Sequence, residues 1–302
     1  LWVGTQHGFN RFDFKTQRFE RFHFTKYSER SDYIRCIEED FRGKLWLGSA
    51  NGVIIFDPKT KQSELLKLPT DASSKALVYS IRTLLVDGKT IWIGTDMGLY
   101  HYDIESKSFQ VFCKNDELGS IPDNSVSALI KHPKTGEIIV GNRNGLLSSL
   151  NLSSERFSKI DITIRESSEI TCLFFDKSGK LWVSTRGDGA FCYNELQHKF
   201  INYQSDVSNP SSLSSNHVKT IFQDRSGVLW FTTSYKGISR FNPSNQSFTS
   251  PLKYIQYKPT SASGAAVNRI AIDSQNNLWL ATDNGVLWVN QKTNQQDRKS
   301  VV

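Results

Sequence analysis

The sequence predicts an all-β fold, a seven-unit β-propeller of four-stranded antiparallel blades with incomplete terminal blades. Three observations carry this. A tryptophan slot recurs every ~45 residues, at Trp2, Trp46, Trp92, Ile139 (in place of Trp), Trp182, Trp230 and Trp279. Each slot is followed by a glycine that opens a further strand: Gly8, Gly52, Gly98, Gly145, Gly189, Gly237 and Gly285. The apolar runs are short, separated by Gly, Asp and Asn turns, and none has helical periodicity. Four short strands per unit, repeated seven times, is propeller arithmetic.

The repeat units are 1–24, 33–68, 78–114, 125–161, 168–204, 216–257 and 267–302, read as one domain. The first strand of each complete unit reads V/I-x-x-I/L-x-x-D. It runs as Ile34, Ile37, Asp40; Ile81, Leu84, Asp87; Val126, Leu129, His132; Ile170, Leu173, Asp176; Val218, Ile221, Asp224; and Val267, Ile270, Asp273. The closing aspartate suits a cap on the following turn, because its carboxylate accepts backbone N–H groups two or more residues on. The sialidase Asp box places Asp before Gly and Trp in a similar way but at tighter spacing. Both devices are structural, so this aspartate set supplies no catalytic candidate. The second strand carries the Trp slot. Its aromatics are expected to stack between neighbouring sheets and supply much of the packing energy.

The third strand ends at Asp13, Asp57, Asp103, Asn151, Asn194, Asn242 or Asn290. Six residues later Phe19, Phe109, Phe157, Phe200 and Phe248 open the fourth strand. A turn is expected at Asn242-Pro243-Ser244-Asn245. Unit 1 starts at its second strand, so its first strand is missing. Unit 7 ends in QQDRKSVV without a convincing fourth strand; either residues 296–302 fill that slot or the blade has three strands.

Composition sets outer bounds. The chain has 302 residues, 38% hydrophobic and 12% aromatic, enough for a sizeable core. No apolar run reaches the ~20 residues of a membrane-spanning helix. No signal peptide is visible, and since the chain opens inside a repeat it is read as a fragment of a longer protein. The net charge of +7 mildly favours acidic partners, but most lysines fall in turns and no Lys/Arg run has nucleic-acid-binding density. The four cysteines, Cys36, Cys113, Cys172 and Cys192, show no CxxC spacing. Cys172 and Cys192 fall on the first and third strands of one unit, ~9–10 Å apart and too far for a disulfide. Four buried free thiols, no metal and no cofactor are expected.

The consensus V-x-x-I-x-x-D-x-x-G-x-L-W-x-G-T-x-x-G-L-x-x-F/Y-D/N-P-x-T-x-x-F resembles the two-component regulator propeller repeat, most closely in SLSSNHVKTIFQDRSGVLWFTT, Ser212 to Thr233. The resemblance covers nearly the whole chain; unit 4 departs from it at Ile139 and Asn142. It implies the periplasmic sensor region of an inner-membrane hybrid two-component histidine kinase. Such sensors commonly carry two tandem propellers, an immunoglobulin-like domain, a membrane span, a kinase and a DNA-binding output. The implied ligand is an oligosaccharide that switches on glycan-degrading genes. The implied partners are a second propeller and the signalling domains of the same chain, with homodimerisation of the intact sensor.

In a propeller the second-to-third-strand loops and the inter-unit connectors emerge on one face. Two of these loops carry one extra residue and are neighbours in the chain: Arg186-Gly187-Asp188 and Ser234-Tyr235-Lys236. Arg186, Tyr235 and Lys236 combine charge-assisted donors with an aromatic face, which suits an acidic or hydroxyl-rich sugar. Arg143 on the preceding unit, and Asn216 and His217 on the connector into unit 6, complete the predicted ligand site with Asp188. No residue is assigned a catalytic role. A glycan hydrolase or lyase would need paired carboxylates, or a Tyr or His base beside arginines; only Arg143, Arg186 and His217 hint at that. A protein-interaction scaffold is the third class, though the G-H and W-D signatures of WD repeats are absent.

Overall fold

The computed structural model describes residues 1–69, 79–165, 168–194, 197–243, 246–249, 266–283, 285–293 and 295–299. Ser244 and Asn245 of the predicted turn, residues 250–257 of unit 6 and residues 300–302 lie outside the described residues. The fold is a seven-bladed all-β propeller of antiparallel sheets. Contacts group the chain into two compact units. One holds Leu1–Lys131, Glu137–Asn142 and Ser148–Lys159; the other holds His132–Gly136, Arg143–Leu147 and Ile160–Val302.

Blade 1 has three strands, Trp2–Thr5, Gly8–Asp13 and Arg18–Phe22, as the missing first strand predicts. Blade 7 corrects the expectation for the other end. Gln296–Lys299 pairs with Gly285–Val289 as a fourth strand, so only the first terminal blade is incomplete. Its strand was hard to read because QDRK has no apolar alternation; backbone pairing to an edge does not require any. A short 3-10 turn at Glu29–Asp32 interrupts the first connector, capped by the Ser28 hydroxyl.

Four of the first-strand aspartates do more than cap their turn. Asp40 Oδ1 accepts the N–H groups of Arg42 and Lys44 at 2.9 and 3.0 Å, while Oδ2 accepts the indole N–H of Trp46 at 3.0 Å. Asp176 holds Trp182 at 2.9 Å, Asp224 holds Trp230 at 2.9 Å and Asp273 holds Trp279 at 3.0 Å. In all four the Asp precedes the Trp by six residues. Blade 3 shows what happens when the turn is shorter. Asp87 pairs directly with Thr90, its side chain goes to Lys131, and the buried Trp92 indole N–H has no acceptor. Trp92 instead stacks on His101, with centroids 3.9 Å apart. In blade 4 His132 Nδ1 caps the turn, accepting the N–H groups of Lys134 and Thr135.

The tryptophans pack as expected. Trp46, Trp92, Trp182, Trp230 and Trp279 are buried. Within the first unit Trp46 joins Ile81, Ile91 and Tyr102 of blade 3, and Trp92 joins Val126 and Leu150 of blade 4. Within the second, Trp182 joins Phe231 and Phe241 of blade 6, and Trp230 joins Val267 and Leu280 of blade 7. The glycine after the Trp slot permits this approach: a Cβ at Gly48 would strike Cys36 of its own blade and Ile81 of the next. The four cysteines are free, but only Cys192 is buried. Cys36 and Cys172 are half-buried and Cys113 is exposed, which corrects the expected burial. Cys36 and Cys172 sit on first strands, where one side of the strand is left partly open.

Candidate functional site

The predicted site lies on the second unit, at one end of blades 5 and 6. Ile170 pairs with Thr185 and Val218 with Thr233, so the start of each first strand sits beside the second-to-third loop of the same blade. An ordinary loop of this kind is closed by a hydroxyl: Ser49 Oγ donates to the Gly52 carbonyl at 2.8 Å and accepts Asn51 N–H at 3.0 Å. The two lengthened loops keep the device with one more residue inside it. Thr185 Oγ1 donates to the Gly189 carbonyl and accepts Asp188 N–H, both at 3.0 Å. Thr233 Oγ1 donates to Gly237 and accepts Lys236 N–H, both at 3.1 Å. The extra residue leaves Arg186, Tyr235 and Lys236 exposed on anchored loops.

Arg186 and Arg143 meet on a carboxylate that the sequence reading did not single out. Glu169 Oε2 lies 3.2 Å from Arg186 Nη2, and Oε1 lies 3.8 Å from Arg143 Nε. The Glu169 side chain is only 12% exposed, against 60% for Arg186. At that exposure the ion pair adds ~1 kcal/mol or less to stability, and its effect is to orient the guanidinium. His217 is joined to this loop by a backbone bridge to Arg186, and its ring meets Tyr235 edge to face at 5.1 Å.

Asp188 and Asn216 take a different place from the exposed contacts expected of them. Asp188 is buried. It accepts the Arg165 backbone N–H at 2.8 Å and an Arg165 guanidinium N–H, and Arg165 also donates to the Gly187 carbonyl at 2.7 Å. Burial pushes the Asp188 carboxyl up, but the N–H donors of Arg165 and the Ser168 hydroxyl outweigh it and hold the pKa below the usual carboxylate value. The Asn216 carbonyl accepts the N–H groups of Gly187 and Gly189 at 3.0 and 2.9 Å, and its Oδ1 accepts Ser205 N–H at 2.6 Å. Both residues therefore brace the loop that presents Arg186. They also line a pocket of about 560 Å³ with Thr163, Ile164, Arg165, Asn202 and Gln204. That volume falls in the range of small-ligand sites. Its three carboxamides and one guanidinium offer donors and acceptors of the kind that hydroxyl groups need. Among the described residues no group of His, Cys, Asp and Glu is arranged to hold a metal ion.

A recurrent bulge was not visible in the sequence. In every first strand the register breaks after the first residue, leaving Arg35, Arg82, Ser127, Thr171, Lys219 and Asn268 as the extra residue. The available signal was the polar or basic second residue of I-R-C-I, I-R-T-L, V-K-T-I and V-N-R-I, which an alternating strand pattern does not explain.

Four segments, residues 28–51, 165–187, 212–235 and 261–284, match the model of the two component regulator propeller. No curated protein matches the sequence. Among solved structures the chain is similar to the extracellular domain of a putative hybrid two component system from B. thetaiotaomicron, at 17% identity and a TM-score of 0.51, over 99% of this chain and 50% of that one. It is similar to virginiamycin B lyase from Staphylococcus aureus, at 14% identity and a TM-score of 0.65, over 88% of this chain and 83% of that one. It is also similar to YCF48 bound to D1 peptide, at 16% identity and a TM-score of 0.62, over 88% and 80%. At these identities the likeness concerns the fold. The chain spans about half the length of the two-component extracellular domains it matches. Each segment matched by the family model runs from a connector through a first strand, the Asp-capped turn and the Trp strand, and the other repeats keep most of that frame. The chain is a β-propeller, and four of its seven repeats match the two component regulator propeller model.

Proposed function

We propose that this chain is an extracytoplasmic sensing propeller of a two-component signalling protein and that it binds an oligosaccharide on the loops of blades 5 and 6. The repeat family and the two-component extracellular domains of like fold support the sensor reading. The observation that carries the ligand site is the pair of lengthened, hydroxyl-closed loops, which hold Arg186, Tyr235 and Lys236 exposed beside the Arg143–Glu169–Arg186 contact and the carboxamide-lined pocket. Rigid presentation of donors beside an aromatic ring suits a sugar, because less side-chain freedom is lost on binding. An enzymatic reading fits less well. Glu169 is engaged by two arginines and Asp188 by Arg165, so neither is left as a base in this arrangement. The intact protein is proposed to sit in the inner membrane with this region in the periplasm. A second propeller and signalling domains in the same chain would be its partners, and it would act as a homodimer.

The test is calorimetric titration of wild type and Arg186→Ala with a pool of oligosaccharides, using the intact sensor region. Arg186→Ala is expected to weaken binding roughly tenfold or more, because it removes charge-assisted bonds. Its melting temperature should stay nearly unchanged, since an exposed loop side chain contributes little to folding. Equal affinity for both proteins removes Arg186 from the site, and a ligand mapped to the opposite end of the blades ends the proposal.

A further inference from the structure

The bulges of the second unit aim three side chains at the loop end of their blades: Thr171, Lys219 and Asn268. A bulge re-aims the residue it carries, and here each sits next to a second-to-third loop, since Val218 pairs with Thr233 and Val267 with Thr282. Thr171 is fully engaged by structure. Its hydroxyl lies 2.9 Å from Ser184 Oγ and donates to the Val218 carbonyl at 2.7 Å.

Lys219 is not so engaged. Its half-buried ammonium donates to Asn268 Oδ1, and Asn268 Nδ2 in turn donates to Asp283 Oδ1 at 2.9 Å. Asp283 thus reaches Lys219 only through an amide, and among the described residues no carboxylate lies within ion-pair distance of the ammonium. An ammonium has three donors, and one is used. Two further cations converge on it. The strand start carrying Lys219 is tied to Arg186 through the Arg186–His217 bridge, and exposed Arg269 donates to the Asn268 carbonyl at 3.2 Å. Burial is the largest influence on Lys219 and lowers its pKa; the Asp283 carboxylate opposes this, and the Arg186 and Arg269 charges add to it. The contrast within the chain is Arg82, at the same bulge position in the first unit. Its guanidinium is met directly by Asp96, with Nε and Nη2 each at 3.0 Å from a carboxylate oxygen.

Building on the oligosaccharide site proposed above, we infer that Lys219, flanked by Arg186 and Arg269, seats an anionic substituent of the glycan, a uronate carboxylate or a sulfate ester. The ligand class is then acidic oligosaccharides. An anion there takes up the unused ammonium donors and relieves the repulsion among three cations. A neutral sugar supplies weaker acceptors and leaves the repulsion in place.

The experiment is calorimetric titration of the intact sensor region with cellohexaose, an oligogalacturonate and a heparin-derived hexasaccharide, each at low and high salt. Wild type is compared with Lys219→Met, Lys219→Arg and Lys199→Met; the last removes an exposed lysine on the outer strand of blade 5. At least one acidic probe is expected to bind and the neutral one not to, and the two acidic probes separate carboxylate from sulfate. Lys219→Met should weaken acidic binding about tenfold or more and flatten its salt dependence. Lys219→Arg should restore most of it, and Lys199→Met should match wild type. The arginine variant keeps the inference testable if the methionine variant fails to fold, because a substitution that keeps the charge should retain acid selectivity. Neutral glycan binding as tight as acidic, or unchanged affinity in Lys219→Met, overturns this inference and leaves the oligosaccharide reading standing. Failure of every glycan to bind overturns both.

Discussion

Replacing Asp40 with alanine removes the clasp of blade 2 in one step. Trp46 is fully buried, so its indole N–H would be left without an acceptor, at a cost of ~1–3 kcal/mol. The N–H groups of Arg42 and Lys44 lie in an accessible turn and regain water, so each loses only ~0.5–1.5 kcal/mol. The Arg42 guanidinium, 41% exposed, adds ~1 kcal/mol at most. The expected loss is about 2–7 kcal/mol in chemical denaturation followed by tryptophan fluorescence. Asp40→Asn should not rescue it, because one carbonyl oxygen cannot replace two carboxylate oxygens and the new NH₂ faces a donor. Asp87→Ala is the internal comparison. Trp92 already lacks an acceptor, and the Lys131 pair is partly exposed, so the loss should stay near ~1 kcal/mol or less. Burial raises the Asp40 carboxyl, but the donors of Trp46, Arg42 and Lys44 prevail and hold its pKa below the ordinary value. A carboxyl depressed in the folded state stabilises above its unfolded pKa, ~3.9, and the contribution fades as pH falls through the folded value. Asp40→Ala should therefore lose less stability than wild type on acidification below about pH 4. Equal losses for Asp40→Ala and Asp87→Ala would refute the clasp as the source of the stability.

Two further outcomes follow from the loop architecture. Asp188→Ala should lower the melting temperature clearly while Arg186→Ala does not, because Asp188 is a buried acceptor for Arg165 and Arg186 is an exposed side chain; thermal denaturation of both separates bracing from binding. Gly189→Ala should destabilise by ~2 kcal/mol or more, since φ is +77° and a Cβ would strike the Tyr203 carbonyl. Gly179→Ala, at φ +85° with open space around it, should lose only ~1 kcal/mol, and similar losses at both would show that the carbonyl contact is unimportant.

Much of the candidate site was legible, and for a definite reason. A loop one residue longer than five of its counterparts is a count along the chain, so the sequence alone places Arg186 and Tyr235 on the candidate site. Glu169, Arg165 and Lys219 were not. Glu169 and Arg165 lie in a connector with no repeat pattern, and what they touch depends on where that connector folds back. Asp188 was read as a ligand contact because sequence shows its position in an exposed loop and not the direction of its carboxylate, which turns inward to Arg165.

The sequence by itself determined the number of units, the order of their strands and the place of each tryptophan. All of these are periodic, and a period is conserved whatever the repeats pack against. It even held the clasp, since six residues from Asp to Trp marks the blades where the indole is capped and the five from Asp87 to Trp92 marks the one where it is not. Tertiary structure alone decided the bulge that turns Lys219 toward the loops, the meeting of Arg143 and Arg186 on Glu169, and the fourth strand of blade 7. Those depend on backbone register and on contacts between segments distant in the chain. Long-range contacts leave no period, and the recurrent bulge leaves only a polar second residue, because a register shift changes which way a side chain points without changing the residue that carries it.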